Sequence, residues 1–167
     1  MPNIHQELLI AASVEKVYEA LTTQEGLSGW WAPGTTAKPE VGSVARFPFG
    51  PDYHKEMKIE VLERPSRVQW KCIEGDKEWI GTTLTFQLHG QDSATVQKSH
   101  PEASGQLRNP DGTTGTLLHF AQDNWRAYTP TFAECNYTWG RFLGSLKLLC
   151  ETGRGRPFPH QYDEGTS

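Results

Sequence analysis

The chain has 167 residues, 36% hydrophobic and 11% aromatic, a size and composition that suit one folded domain with a real core and are too small for two comfortable ones. A net charge of -4 with a pI near 5.9 lacks the basic footprint that nucleic acid or an anionic membrane surface requires, so neither is an expected partner. Cys72, Cys135 and Cys150 are odd in number, far apart and set in apolar patterns, which reads as reduced core thiols rather than a disulfide framework or a zinc site.

Residues 3–10 alternate, with Ile4, Leu8 and Ile10 on one side and His5, Glu7 and Leu9 on the other, as a half-buried strand does. The same segment has no basic stretch leading into an apolar run, and no window approaches the length of a bilayer span, so a cytoplasmic location without membrane insertion is the default expectation. Ser13 is placed to N-cap a helix over 14–21, and Thr23 precedes a second, short helix over 24–30 that Pro33-Gly34 terminates.

From residue 43 the period changes to two. Residues 43–49, 56–63, 67–74 and 82–89 each read as a strand bounded by Gly, Pro or Asp. Met57, Ile59 and Val61 share one face of the second segment, Val68, Trp70 and Cys72 one of the third, and Leu84, Phe86 and Leu88 one of the fourth, while the alternate positions are mostly polar. This pattern predicts an antiparallel meander with one wet and one dry face.

Residues 91–115 contain only Ala94, Val96, Ala103 and Leu107 as apolar residues and are broken by Pro101, Pro110 and several glycines, so they are expected to form a loop, mobile or functional. A last strand over 116–121 leads into a helix over 131–152 with Phe132, Cys135, Trp139, Phe142, Leu146 and Leu149 on one face. Thr129 is placed to cap it with Pro130 at the first helical position, Thr131 and Glu134 offer an alternative capping box, and Gly153 marks its end. Beyond Gly153 the chain is expected to be extended, with residues 161–167 a flexible tail after a single domain over 1–160.

A curved sheet wrapped around one long helix cannot fill its concavity with side chains alone, so a cavity is expected, of the kind that takes small molecules. Trp30 and Trp31 offer a broad apolar wall with N–H donors, or else anchor the short helix on the sheet. Phe47, Phe49, Met57, Trp70, Phe86, Trp125, Trp139 and Phe142, with Phe120, complete the candidate lining, and Tyr53, Glu56 and Arg46 are candidates for its polar rim. Gly140 and Gly144 leave a bare strip on the long helix for close approach of a strand or a guest. The six histidines show no metal-ligand spacing and no pairing with a nucleophile, and the alternation of His119 with Leu118 and Phe120 sends it outward. No catalytic residue, metal or cofactor is assigned.

Particular words of the sequence carry a resemblance. They are Ala20-Leu21-Thr22, Gly26-Leu27-Ser28-Gly29-Trp30-Trp31-Ala32-Pro33, Val41-Gly42-Ser43, Phe86-Gln87-Leu88, Trp139-Gly140-Arg141-Phe142-Leu143-Gly144-Ser145-Leu146-Lys147 and Glu151-Thr152-Gly153-Arg154-Gly155-Arg156-Pro157. Together with the element order they resemble the START-like (SRPBCC) superfamily, in the branch of the C-terminal domain of the activator of the ninety-kilodalton heat-shock chaperone's ATPase. The resemblance implies an α+β helix-grip fold, with a curved antiparallel sheet of about six to seven strands around the C-terminal helix. It departs in two places. Residues 91–115 look like an insertion, and a His-x-Gly-aromatic word common in relatives reads here as Gln122, Asp123, Asn124 and Trp125. The expected function is non-catalytic binding of a hydrophobic or amphipathic small molecule between sheet and helix. The resemblance implies an alternative, a protein-interaction module acting on a chaperone partner, although these residues do not include the additional N-terminal domain of the full activator. A cyclase or hydrolase using the same cavity is a third reading. The sequence leaves the oligomeric state open.

Overall fold

The structure is a computed structural model describing residues 2–106 and 115–163. The described elements run β1 (Ile4–Ile10), α1 (Val14–Thr22), α2 (Gln24–Trp30), β2 (Val44–Pro48), β3 (His54–Glu63), β4 (Arg67–Glu74), β5 (Thr83–Gln91), α3 (Ser93–Ser99), a 3₁₀ turn (Ser104–Gln106), β6 (Gly115–Asp123) and α4 (Pro130–Thr152). The strands form one six-stranded antiparallel sheet in the order β1-β6-β5-β4-β3-β2, which is the α+β helix-grip architecture. Its concave face holds α4, with α1 and α2 closing one side.

The helix ends are where the local chemistry puts them. Ser13, Thr23 and Thr129 each adopt an extended backbone, and their hydroxyls accept from the N–H groups of Lys16, Gly26 and Phe132. Each cap satisfies a donor that the first helical turn leaves free. Gly153 ends α4 at φ +88°, a left-handed conformation that suits a residue without Cβ. α1 and α2 pack so closely that a Cβ on Gly26 would stand 2.6 Å from the Cα of Ala20.

The dry face is as the alternation indicates on β4 and β5, where Val68, Trp70, Cys72, Leu84, Phe86 and Leu88 are all buried. On β3 the pattern slips. The register with β4 shifts between Ile59 and Val61, so that Val61 pairs with the outward Gln69 and Leu62 pairs with the inward Val68. Leu62, rather than Val61, therefore packs on the core, because the extra residue of a β-bulge reverses the facing of everything beyond it.

The segment after β5 is not featureless. Asp92 caps α3 through Thr95 N–H at 2.7 Å, and Val96 is buried against Leu9 and Leu117 on the otherwise wet face of β1 and β6. Residues 107–114 of the expected loop lie outside the described residues. The same segment covers the free edge of β1. Gln106 Oε1 accepts from Leu9 N–H at 2.7 Å, Glu151 Oε2 accepts from Ala11 N–H at 2.8 Å, and Lys147 Nζ donates to the Leu9 and Gln106 carbonyls while pairing with Glu151 at 2.7 Å. After Gly153 the chain runs extended along α2. Gly155 lies against it so tightly that a Cβ there would meet Gly29 O at 2.5 Å. Residues Gln161 and Tyr162, assigned in the sequence to a flexible tail, are packed on the domain, whereas 164–167 lie outside the described residues.

Candidate functional site

The concavity is filled along most of its length by aromatic rings. Trp30 stacks on Trp31 at 5.8 Å, Trp31 on Trp70 at 5.8 Å, and Phe86, Phe120 and Trp139 close the gap between sheet and α4. What stays open is one end, a cavity of about 450 Å³ lined by Trp31, Phe49, Tyr53, Lys55, Trp79, Glu134, Cys135, Thr138, Trp139, Phe142, Phe158, Gln161 and Tyr162. This lies within the usual range for small-molecule sites, roughly 300–1,000 Å³.

Of the sequence-derived lining, Trp31, Phe49, Trp139 and Phe142 meet at this cavity. Trp30, Phe47, Met57, Trp70, Phe86 and Trp125 are fully buried behind it and do not line it. Trp30 acts as an anchor, its indole N–H donating to Ala20 O at 2.9 Å and so tying α2 to α1. At the rim Tyr53 is present, while Arg46 is exposed and Glu56 pairs with His54 at 2.9 Å, away from the cavity. On α4, Gly140 faces only the Gln6 side chain and Gly144 faces open space, so no strand comes close to either.

The site is built from the end of α2, which carries Trp31, from β3 with Lys55, from α4, from two turns and from the C-terminal segment. The turn between β2 and β3 carries Phe49 and Tyr53, joined by Phe49 N–H to Tyr53 O at 2.8 Å. The turn between β4 and β5 carries Trp79, which is 5% exposed and was not singled out in the sequence because it lies in a polar turn outside any alternation. The two turns are tied together, since Asp76 N–H donates to the Tyr53 hydroxyl at 2.9 Å. Trp79 in turn donates through Nε1 to Cys135 Sγ at 3.3 Å on α4. From the C-terminal segment, Phe158 N–H donates to Trp31 O at 2.8 Å and the Phe158 ring meets Phe49 edge-on at 5.4 Å. Tyr162 and Thr138 share a hydroxyl–hydroxyl bond at 2.5 Å.

The back wall is set by Gln122, fully buried in β6. Its Oε1 accepts from Trp139 Nε1 at 2.8 Å and its Nε2 donates to Thr82 Oγ1 at 3.0 Å, while Thr82 Oγ1 donates to Trp79 O at 2.7 Å. One amide thus holds the Trp139 indole directly and, through Thr82, the backbone of Trp79, two of the three tryptophans that line the cavity. Two residues on, Asn124 has φ +74°, which explains why a position held by Gly in the resembling word accepts Asn, the side chain that best tolerates that backbone.

The two thiols nearest the cavity are held in their neutral form. Burial pushes the Cys72 thiol up to about 11 and raises that of Cys135, so both stay protonated at neutral pH. His119 points away from the cavity, beside His5 at 3.2 Å and Glu7 at 3.9 Å on the outer face. Among the described residues no group of three His, Cys, Asp or Glu is arranged to hold a metal, and no helix is long and apolar enough to cross a membrane. The unusual member is Lys55. It is in phase with Met57 and Ile59, so β3 turns it inward, where its ammonium lies 4.1 Å from the Phe49 ring centroid, 4.8 Å from that of Tyr53 and 4.5 Å from that of Trp79.

Residues 11–151 match the family described as activator of Hsp90 ATPase homolog 1-like protein. The chain belongs to this family. Among solved structures similar to this member of the Hsp90 ATPase activator-like family is the solution structure of the Aha1 dimer from Colwellia psychrerythraea, at 32% identity and a TM-score of 0.72, covering 93% of this chain and 100% of that one. A protein from Staphylococcus saprophyticus aligns at 17% identity and TM-score 0.66 over 93% and 97% of the two chains. One from Mesorhizobium loti aligns at 19% and 0.63 over 89% and 96%. These two establish likeness of fold alone. A comparison with curated proteins gave no match.

Proposed function

We propose that this family member binds a hydrophobic or amphipathic small molecule in the cavity at the open end of the helix grip, without chemistry. The observation that carries the reading is an aromatic-walled space of about 450 Å³ that the core tryptophans leave unfilled. Apolar concavity with a few polar groups is the usual form of a small-molecule site. Walls of indole and phenyl favour a flat guest, which gains most from ring-to-ring contact. The test is titration with a panel of two- and three-ring aromatic compounds, read by tryptophan fluorescence and thermal melting. The reading expects saturable quenching at one guest per chain and a rise in melting temperature, equivalent to ~2.7 kcal/mol at a hundred times Kd. A panel that neither quenches nor stabilises would overturn it.

A second reading is supported by the family itself, namely action on a chaperone ATPase partner. Exposed Tyr137 and Tyr162, stacked at 6.1 Å beside the cavity mouth, offer an aromatic contact for such a protein. Stimulation of the ATPase by the pure protein, lost when both tyrosines are replaced by Ser, distinguishes this reading from the first.

A further inference from the structure

Lys55 is a cation without an anion. Among the described residues no carboxylate lies within ion-pairing distance of it, and none of its three N–H donors meets an oxygen or nitrogen acceptor. Three ring faces surround the ammonium instead, and such contacts stabilise positive charge without using its hydrogen-bonding capacity. A second polar residue of the lining carries an unsatisfied atom just behind the wall. Gln161 is 9% exposed, lines the cavity, and keeps its Oε1 buried with no hydrogen-bond partner. A cavity meant only for hydrocarbon would gain from an apolar residue at both positions, because burying unpaired polar groups costs stability.

We infer that Lys55 is the anion-recognising group of the cavity, so that the guest is an aromatic acid whose carboxylate pairs with Lys55 Nζ while its ring lies among Trp31, Trp79 and Trp139. The inference rests on the reading of the cavity as a small-molecule site. Its geometry follows from the walls. Lys55 and the three indoles line the same open space, and Trp79 lies roughly parallel to Trp31 at 6.4 Å and to Trp139 at 6.0 Å, while Trp31 and Trp139 are tilted by 33°. Glu134, on the α4 side of the lining, is exposed to solvent and within ion-pair distance of no part of Lys55, so it does not pre-empt the charge. Burial lowers the amine to about 8, and Tyr53, Cys72, Asp76 and Cys135 are the titratable groups that face it. A bound carboxylate restores the charged form, so binding near and above that pH takes up a proton.

The test compares naphthoate with its neutral isostere naphthamide by calorimetry, on the wild type and on Lys55→Met. The wild type is expected to bind naphthoate about tenfold or more tightly than naphthamide, the usual contribution of one hydrogen bond to a charged group. Lys55→Met should lose that preference and keep its affinity for naphthamide, which also reports an intact fold. Above pH 8 the wild-type naphthoate enthalpy should vary with the ionisation enthalpy of the buffer, and that of naphthamide should not. Equal binding of acid and amide to the wild type, or a preference that survives in Lys55→Met, overturns the inference alone. If neither compound binds, the small-molecule reading falls and this inference with it.

Discussion

Lys55 places an alkyl ammonium where its charge is disfavoured, and that has a cost to folding as well as a use in recognition. Its pKa falls from 10.5 to about 8 through burial, opposed by Cys135, Cys72 and Asp76 nearby. Between those two values the unfolded chain keeps a proton that the folded one has released, so the contribution of Lys55 makes stability rise with pH across that window. Below about 8 the full penalty is present. Lys55→Met is therefore expected to be more stable than the wild type at neutral pH by about 1–2 kcal/mol, a figure reduced for the solvent that reaches the amine through the cavity. Urea denaturation of both proteins at pH values below, within and above the window checks this, and a difference that does not shrink as pH rises would refute it. The buried thiols, with raised pKa, act in the opposite sense; that of Cys150, which does not sense Lys55, cancels in the comparison. Lys55 was missed in the sequence because the expected strand over 56–63 begins one residue too late to include it, although it stands two residues before Met57 in a strand whose dry face is otherwise apolar. A cation in phase with the core is a mismatch that period-two reading can detect. Trp79 was not legible, because turn residues obey no period, and the task of Gln122 was hidden because its partners Trp139 and Thr82 are distant in sequence.

The long helix α4 and both of its ends were legible, because capping is local chemistry. What its glycines do was not. Gly140 and Gly144 stand out by spacing, yet neither is close to any backbone, whereas Gly155, outside the helix, touches both α2 and α4. Gly144→Ala is expected to stabilise by about 0.5–1 kcal/mol, since the added methyl enters open space and the helix gains propensity. Gly155→Ala should destabilise by about 1–3 kcal/mol, because its Cβ would be forced within 3 Å of the Gly29 and Ser145 carbonyl oxygens. It should weaken guest binding too, as the displaced segment carries Phe158 and Gln161 to the cavity. Thermal melting of the two variants decides, and equal shifts would refute the contrast. On β3 the bulge at Glu60 defeats the alternation for the same reason that Gly155 escapes notice: both depend on a partner element that one strand's sequence does not specify.

At the scale of the whole molecule the sheet has two separate apolar clusters. The main core lies under α4, and the small one, Leu9, Val96 and Leu117, lies on the opposite face beneath α3. Val96→Ala is expected to cost about 1–2 kcal/mol and to leave naphthamide affinity unchanged, because contacts that share no partner act independently. Urea denaturation and calorimetry on one preparation check both halves, and a parallel loss of affinity would show the clusters to be coupled. The overall fold was legible because strand order, one long helix and its caps all agree. The position of the cavity was not, since it depends on how much of the trough the buried aromatic rings consume, a three-dimensional volume that no local pattern encodes. That same packing gives the molecule a built-in optical reporter. Trp30, Trp31, Trp70, Trp79, Trp125 and Trp139 form an unbroken chain of neighbours with centroids 5.3 to 6.5 Å apart, near enough for excitation to pass from ring to ring. Three of them border the cavity, so an occupant there dims emission that originates anywhere in the series, and the protein announces its own occupancy without a dye.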